Sequence, residues 1–413
     1  MGIVRESFRK MSIVVQKYGG TSVGDANRIR NVARRVITAK QSGSDVVVVV
    51  SAMGDTTDDL IKLARQISDK PSAREMDVLL STGEMVSSTL LAMALENMGH
   101  KAISLSGAQA GIRTDATFGH ALILSIDPGR VVQEIKNGNI VIVAGFQGVT
   151  KDDDTTTLGR GGSDTTAVAL AASLGASVCE RYTDVEGIFT ADPRVVPRAS
   201  KLKEISYDEM LELATYGSKV MHPRAVEMGQ IYNVPILVAS SFNDYPGTLI
   251  HGGLMEIRNK VTAITQDMDV AKITVVGVPD TPGIAASIFE PLAKAGISVD
   301  TIVQNASIQN ITDLSFTVTK GDADKALRIV GPIAENVGAR ECVADTKLAK
   351  VSIIGSGMQN TPGYASTMFS TLFASGINIQ LITTSEIRIT VIIADDKANE
   401  ASVALHKAFE LEK

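Results

Sequence analysis

Residues 13 to 50, IVVQKYGGTSVGDANRIRNVARRVITAKQSGSDVVVVV, decide the fold class. The β-branched run Ile13 to Val15 opens a strand, and two glycines close it. Ile29, Val32, Ala33, Val36 and Ile37 then recur at i, i+3, i+4, i+7 and i+8, the spacing of one apolar helix face. Val46 to Val50 is apolar at consecutive positions, as expected of a central strand buried on both faces. Strand, helix and strand in that order predict an α/β domain with a mostly parallel sheet covered by helices. The same grammar continues to about residue 250, with further strands at Ile140 to Val143 and Ile236 to Val238. In such doubly wound sheets ligands sit beyond the carboxyl ends of the strands, so the loops leaving them are where chemistry is expected.

From about residue 262 the chain repeats itself. VAKITVVGVPDTPGIAASIFEPLAKAGISVDTI from Val270 is matched by LAKVSIIGSGMQNTPGYASTMFSTLFASGINIQLI from Leu348. Lys272 aligns with Lys350 and Gly277 with Gly355; after two extra residues in the second loop, Pro282 aligns with Pro362 and Gly296 with Gly376. Each copy reads as a strand, a Pro-Gly loop, a helix and a second strand. The helices share an apolar spacing, Ala285, Ile288, Phe289 and Leu292 against Ala365, Met368, Phe369 and Leu372. Further strands follow at Leu314 to Val318 and Ile387 to Ile393. A period of roughly 80 residues is too long for a solenoid unit and indicates a duplicated small domain.

The 413 residues suffice for two to four domains of roughly 100 to 200 residues each. Apolar residues at 44% and charged residues at 21% are ordinary globular values. A net charge of -6, no Trp and only 4% aromatics give neither the basic stripe nor the stacking platform that nucleic acid requires. Cys179 and Cys342 fall in no CxxC or Cys/His cluster and read as buried structural thiols. No uninterrupted apolar stretch of membrane-spanning length appears, and MGIVRESFRK lacks a signal peptide's apolar run, so a cytoplasmic location is expected. Met11 is a second plausible start, which makes residues 1 to 10 an extension or a mis-set start.

Lys17-Tyr18-Gly19-Gly20-Thr21-Ser22 offers backbone N–H groups and a cation for a phosphate, although a Gly-Gly pair after a strand serves equally as a plain turn. Thr155-Thr156-Thr157-Leu158-Gly159-Arg160-Gly161-Gly162-Ser163-Asp164 runs straight into the Ala-rich TTAVALAASL. Glycines around an arginine at a helix start build an anion site from amides and the helix dipole, and Arg160 can grip a carboxylate with two parallel hydrogen bonds. Asp164 is either a first-turn cap or the partner of a substrate ammonium or of an active-site lysine. Ser51 to Thr57, Ser81 to Glu84 and Thr183 to Arg194 combine hydroxyls, glycine and acid and are expected at strand ends. Tyr216-Gly217-Ser218-Lys219-Val220-Met221-His222-Pro223 adds a second lysine, with His222 read as a structural loop residue. GxxxxGK[ST], HRD, DFG and GxGxxG motifs do not occur, and no Ser-His-Asp or Cys-His set supports a covalent nucleophile.

Taken together, KYGGTSV at 17 to 23, SAMGDTT at 51 to 57, STGE at 81 to 84, TTTLGRGGSD at 155 to 164, TDVEGIFTADPR at 183 to 194 and YGSKVMHP at 216 to 223 resemble the aspartate kinases in order and spacing. The resemblance covers nearly the whole chain from residue 11, since the duplicated tail is similar to the ACT pair of that family. It implies an amino-acid kinase domain over 11–250, ACT domains of βαββαβ type over 262–343 and 346–413, and ATP plus L-aspartate giving ADP plus 4-phospho-L-aspartate. Carried onto this sequence, it assigns Lys17, Arg160, Asp164 and Lys219 to catalysis. Lys17, Gly19, Gly20, Ser51, Thr183, Asp184, Phe189, Arg194 and Lys219 fall to ATP, and Thr57, Glu84, Phe146, Arg160, Ser163 and Asp164 to aspartate. Phe189 replaces the tyrosine often found there, which removes a hydroxyl and keeps the packing. Magnesium is expected to ride on the ATP phosphates, with no protein metal site.

The same resemblance places effector positions at Asp280, Gly283, Ala285, Ser298, Val299, Asp300 and Gln304 in the first copy. Tyr364, Ala365, Asn378, Ile379, Ser385 and Glu386 are their counterparts in the second. It implies lysine, threonine or both as inhibitors, and ACT domains that pair copies of the chain or pair it with a shorter regulatory subunit. Two rivals remain open at this level: a kinase of the same fold acting on acetylglutamate, glutamate or a nucleotide, and a non-catalytic amino-acid sensor.

Overall fold

The computed structural model describes residues 12–252, 261–305, 310–359 and 361–412. Met1 and Met11, the alternative starts, lie outside them. The chain divides into two units. The first holds the described residues through Ile188, Lys201–Thr215, and those from Lys219 to residue 252. The second holds Phe189–Ser200, Tyr216–Ser218 and the described residues from 261 onward.

The first unit begins β1 (Ile13–Tyr18), α1 (Ala26–Gln41), β2 (Asp45–Val50), α2 (Thr56–Ile67), α3 (Ala73–Asn97) and β3 (Ala102–Leu105). It continues through β4 (Ile112–Thr114), β5 (Ile123–Ile126), α4 (Gly129–Lys136), β6 (Ile140–Ala144), β7 (Gln147–Val149), β8 (Thr155–Thr157) and α5 (Gly162–Leu174). Then come β9 (Val178–Thr183), β10 (Glu204–Ser206), α6 (Tyr207–Thr215), α7 (Pro223–Ile231), β11 (Ile236–Ser240) and β12 (Thr248–His251). Eight strands form the main sheet in the order β10-β12-β11-β9-β1-β2-β6-β3, parallel except where β11 meets β12. A smaller sheet, β5-β4-β7-β8, lies beside it in sequence. The predicted helix face is the one α1 buries: Ile29, Val32, Ala33 and Val36 pack with Val46, Val48, Leu91 and Ile142. Asp25 caps α1 by accepting from the Asn27 and Arg28 N–H groups.

One sequence expectation changes here. Ser81 to Glu84 lies inside α3, not at a strand end. Its glycine belongs there because a Cβ on Gly83 would come 2.8 Å from the Ala52 Cβ, so the helix can approach the 51–57 loop only without a side chain. α3 is also long and apolar enough to cross a bilayer by length and composition, with a mean hydropathy of 1.5. Here it packs against α1, β3, β6 and β8, and its Asp77 and Glu84 are buried.

The second unit is led by a long strand, β13 (Ala263–Pro279), followed by α8 (Ile284–Lys294), β14 (Thr301–Gln304), β15 (Ile311–Val318) and α9 (Ala323–Asn336). A second long strand, β16 (Glu341–Ile354), leads into α10 (Tyr364–Ala374), β17 (Leu381–Thr384), β18 (Arg388–Ala394) and α11 (Ala398–Ala408). All six strands make one sheet, β14-β15-β13-β16-β18-β17. The two copies interlock through its central pair. Ala271 to Pro279 pairs with β15, while Ala263 to Asp267 pairs with Ile354 to Lys350, so the fourth strand of the second copy comes from before the first. Each copy keeps its own core, one around Ile273, Ile288, Leu292 and Phe316, the other around Val351, Met368, Leu372 and Val391. Of the two thiols Cys179 is buried, but Cys342 is only half-buried at the edge of the first of these cores, where it stands at the start of β16.

Candidate active site

Lys17 stands one residue from the carboxyl end of β1, directly across from Arg181 on β9. Strand neighbours in register point to the same face, so two cations emerge side by side beneath the start of α5. Gly161, with φ +69, turns the chain into that helix, and Asp164 lies in its first turn. The Lys17 Nζ is 2.6 Å from the Asp164 Oδ1, and the Arg181 Nε donates to Oδ2 at 3.1 Å. These side chains are only 7%, 7% and 13% exposed, so one carboxylate is held between two cations out of water. Burial opposes the Asp164 charge, but Arg181 and then Lys17 outweigh it and pull its pKa down to about 2. For Lys17 burial dominates and lowers the pKa despite Asp164.

The loops around this triad are packed so tightly that glycine is required. A Cβ on Gly20 would lie 2.7 Å from the Ala52 carbonyl oxygen, and the Gly54 N–H donates to the Gly20 carbonyl at 3.1 Å, which joins the first two glycine loops. Ser51 continues the contact through its N–H to the Tyr18 carbonyl at 3.1 Å. Thr57 sits in the first turn of α2. Glu84 reaches back from α3 and accepts from the Ala52 N–H at 3.1 Å, while its Oε2 is buried with no partner among the described residues. Burial raises its pKa to about 7, against smaller pulls from the Ala52 N–H and Lys17. Such a carboxyl is short of one cation or donor.

Phe146 adopts φ +70, uncommon for an aromatic residue, with its N–H donating to the Thr166 hydroxyl at 3.1 Å and its carbonyl accepting from Leu158. Ser163 is buried at the α5 start; Arg160, one turn earlier, is exposed. Thr183 ends β9 and donates its hydroxyl to Asp184 at 3.1 Å, and Lys219 is exposed ahead of α7. The structure thus brings Lys17, Asp164 and the glycine loops together within the first unit. Phe189 and Arg194 belong to the second unit instead, where Arg194 forks onto Asp192 at 2.7 and 3.0 Å. Among the described residues no cluster of three His, Cys, Asp or Glu could hold a metal ion.

Three residues that position this site were not singled out from sequence. Arg181 hides in the strand VCERYT, where a basic residue in register with Lys17 was the available signal. Asp77, two turns before Glu84 on α3, accepts from the Gly119 N–H and from both the N–H and hydroxyl of Thr157, tying the helix to β8. Arg224 donates to the Leu158 carbonyl at 2.8 Å from α7. His222 stands at the N-cap position of that helix without a side-chain capping bond, and its ring packs on Gly161, where a Cβ would come within 2.2 Å. It is a structural neighbour of the glycine loop, kept neutral by burial.

Residues 12–240 match the amino acid kinase family model, and residues 273–331 and 351–409 each match the ACT domain model. The chain is 51% identical to an aspartokinase of Mycolicibacterium smegmatis over 97% of both chains. The chain belongs to the aspartokinases of the amino acid kinase family. Among solved structures it superposes on E. coli aspartokinase III in complex with aspartate and ADP with a TM-score of 0.82, at 26% identity over 96% of this chain and 100% of that one. The same E. coli enzyme with lysine and aspartate gives 0.76, at 27% identity over 96% and 99%. Membership makes the chain a phosphotransferase with ACT-linked allosteric control.

The residues expected from sequence as effector positions fall in the second unit. Gly283 caps α8 with φ +97, Ala285 lies in its first turn, and Asp280 is exposed in the loop before it. Ser298 and Val299 precede β14, where Val299 packs on the first core, and Gln304 ends that strand. Tyr364, Ala365 and Ile379 pack on the second core, Asn378 is exposed, and Ser385 and Glu386 form the turn before β18. The aligned lysines cross between copies: Lys272 donates to Gln380 at 2.8 Å and Lys350 pairs with Asp300.

Proposed function

We propose that this chain transfers the γ-phosphoryl group of ATP to the side-chain carboxylate of L-aspartate, forming 4-phospho-L-aspartate and ADP. The observation that carries this reading is the buried Lys17–Asp164 pair at the foot of α5, flanked by glycine loops at the carboxyl end of β1. An aspartate carboxylate oxygen attacks the γ-phosphorus as the bond to the β-phosphate oxygen breaks, and ADP leaves with that electron pair. The acceptor is already ionised near neutrality, so no general base is needed, and in-line positioning with cationic shielding supplies the rate. Lys17 and Gly20 meet the transferring phosphate; Gly19, Ser51, Thr183, Asp184 and Lys219 hold ATP. Arg160 grips the α-carboxylate, Glu84 answers the ammonium group, and Thr57, Phe146, Ser163 and Asp164 complete the aspartate side. Magnesium rides on the nucleotide phosphates in this reading.

The reaction is the first step of the aspartate route to lysine, threonine and methionine in the cytoplasm, and we assign lysine, threonine or both as inhibitors at the ACT pair. The lysine held by the E. coli relative supports this. Copies of the chain pair through the regulatory sheet, and a shorter regulatory chain can take one place. Ile302 and Ile382, equivalent residues on its two edge strands, are 53% and 45% exposed, which supports a pairing surface. The deciding experiment incubates the protein with Mg-ATP and aspartate, glutamate or N-acetylglutamate and traps acyl phosphate as hydroxamate. Product with aspartate is expected; product with glutamate alone overturns the assignment.

A further inference from the structure

The buried triad has one cation more than the pair it contains. Lys17 and Arg181 share a single carboxylate, and an uncompensated charge in such a place is costly. Glu84, whose second oxygen has no partner, belongs to the aspartate side in the reading above. The excess cation therefore has a use only when a substrate anion arrives. If Lys17 turns to the transferring phosphoryl group it must give up Asp164, at 2.6 Å its closest ion-pair partner. Without a second cation that move would strand a buried carboxylate, and Lys17 would stay locked in a neutral pair.

Arg181 is placed to prevent this. Its Nε already binds the oxygen of Asp164 that Lys17 does not take, so the two cations do not compete for one lone pair. Its Nη1 is buried and has no partner among the described residues, leaving a donor in reserve. Ala167, Val168, Cys179, Met221 and Ile236 pack around the group and leave no water-sized void, so no water is at hand to replace a lost cation beside Asp164. Arg181 is anchored by register to Lys17 on β1, so it stays with Asp164 as the lysine moves.

We propose that Arg181 is a positioning residue for phosphoryl transfer, holding the Asp164 carboxylate in place of Lys17 whenever the lysine ammonium turns to the phosphoryl group. The proposal rests on the kinase reading given above. It predicts a loss confined to the chemical step, because the ground-state contacts to ATP and to the acceptor come from other residues.

The test compares the full chain with Arg181→Met and Arg181→Lys, measuring ADP release at saturating Mg-ATP with whichever of aspartate, glutamate or N-acetylglutamate the unsubstituted protein accepts. Arg181→Met is expected to lower kcat about a hundredfold, the scale of leaving one buried charge unpaired, with both KM values within about threefold. Arg181→Lys, which restores a cation, should keep kcat within about tenfold. Circular dichroism and thermal midpoints show that each variant is folded, and should Arg181→Met not fold, Arg181→Gln replaces it. An uncharged folded variant with kcat within about twofold of the unsubstituted chain overturns the proposal, as does a rise in KM for ATP with kcat unchanged, which would make Arg181 a nucleotide contact. The acceptor used by the unsubstituted chain tests the kinase reading separately, since the ratio between variants does not depend on it.

Discussion

Lys17 and Glu84 show how burial sets chemistry at single side chains. Lys17 is nearly enclosed, and burial lowers its pKa although Asp164 offsets part of that cost. Lys17→Met is expected to fold, since Arg181 still neutralises Asp164, and to lose at least about a thousandfold in turnover, as expected when a charge-stabilising group is removed from phosphoryl transfer. Turnover within tenfold of the unsubstituted chain would remove Lys17 from the chemistry. Glu84 titrates at about 7 because burial resists its charge. If it answers the substrate ammonium it must be ionised, so kcat/KM for aspartate should fall up to about tenfold per pH unit below 7, and Glu84→Gln should lose that limb. A raised carboxyl pKa means the folded state holds a proton that the unfolded chain has released between about 4.5 and 7. Its contribution to stability therefore declines as pH rises through that window. Glu84→Gln should then be more stable than the unsubstituted chain at pH 8, by about 1–3 kcal/mol in urea titrations.

α3 is the element that carries Glu84, assigned to the acceptor side in the proposed function. Its inward face carries Asp77, Gly83 and Glu84, which respectively hold β8, admit the 51–57 loop and await a cation. Asp77→Ala leaves the Thr157 and Gly119 N–H groups without their buried acceptor. Unfolding free energy should drop by about 2–4 kcal/mol, and a change under about 1 kcal/mol would mean that β8 is held by other contacts. The register of the second glycine loop was readable because a helix start after GRGG has few alternatives. The helical placement of STGE was not readable, because Ser, Thr and Gly in sequence suggest a turn and only the close approach of Ala52 explains a glycine inside a helix.

At the scale of the molecule, the regulatory half is one sheet shared by two copies rather than two beads. A chain stopped after Asp345 would lose the partner of Ala263 to Asp267 and uncover Ile264, so it is expected to expose apolar surface and bind a hydrophobic dye instead of yielding a folded first ACT domain. A monomeric, dye-negative fragment with native circular dichroism would show the copies to be separable. Gln304→Ala at the end of β14 should raise the concentration of lysine or threonine for half-inhibition at least about threefold, each variant being scaled to its own uninhibited rate. Unaltered inhibition curves would take Gln304 out of the effector site.

Sequence alone determined the α/β character of the first half, the duplication in the second, and the glycine loops with Lys17, Arg160 and Asp164, because each is a local pattern of period, turn chemistry or motif. Tertiary structure decided what depends on neighbours distant along the chain. The partnership of Lys17 with Arg181 exists only because β1 and β9 pair in register across more than half of the first unit. The second ACT copy completes its sheet with residues from before the first, since a strand takes whichever edge offers unpaired backbone groups, and no repeat in the sequence reports which edge that is.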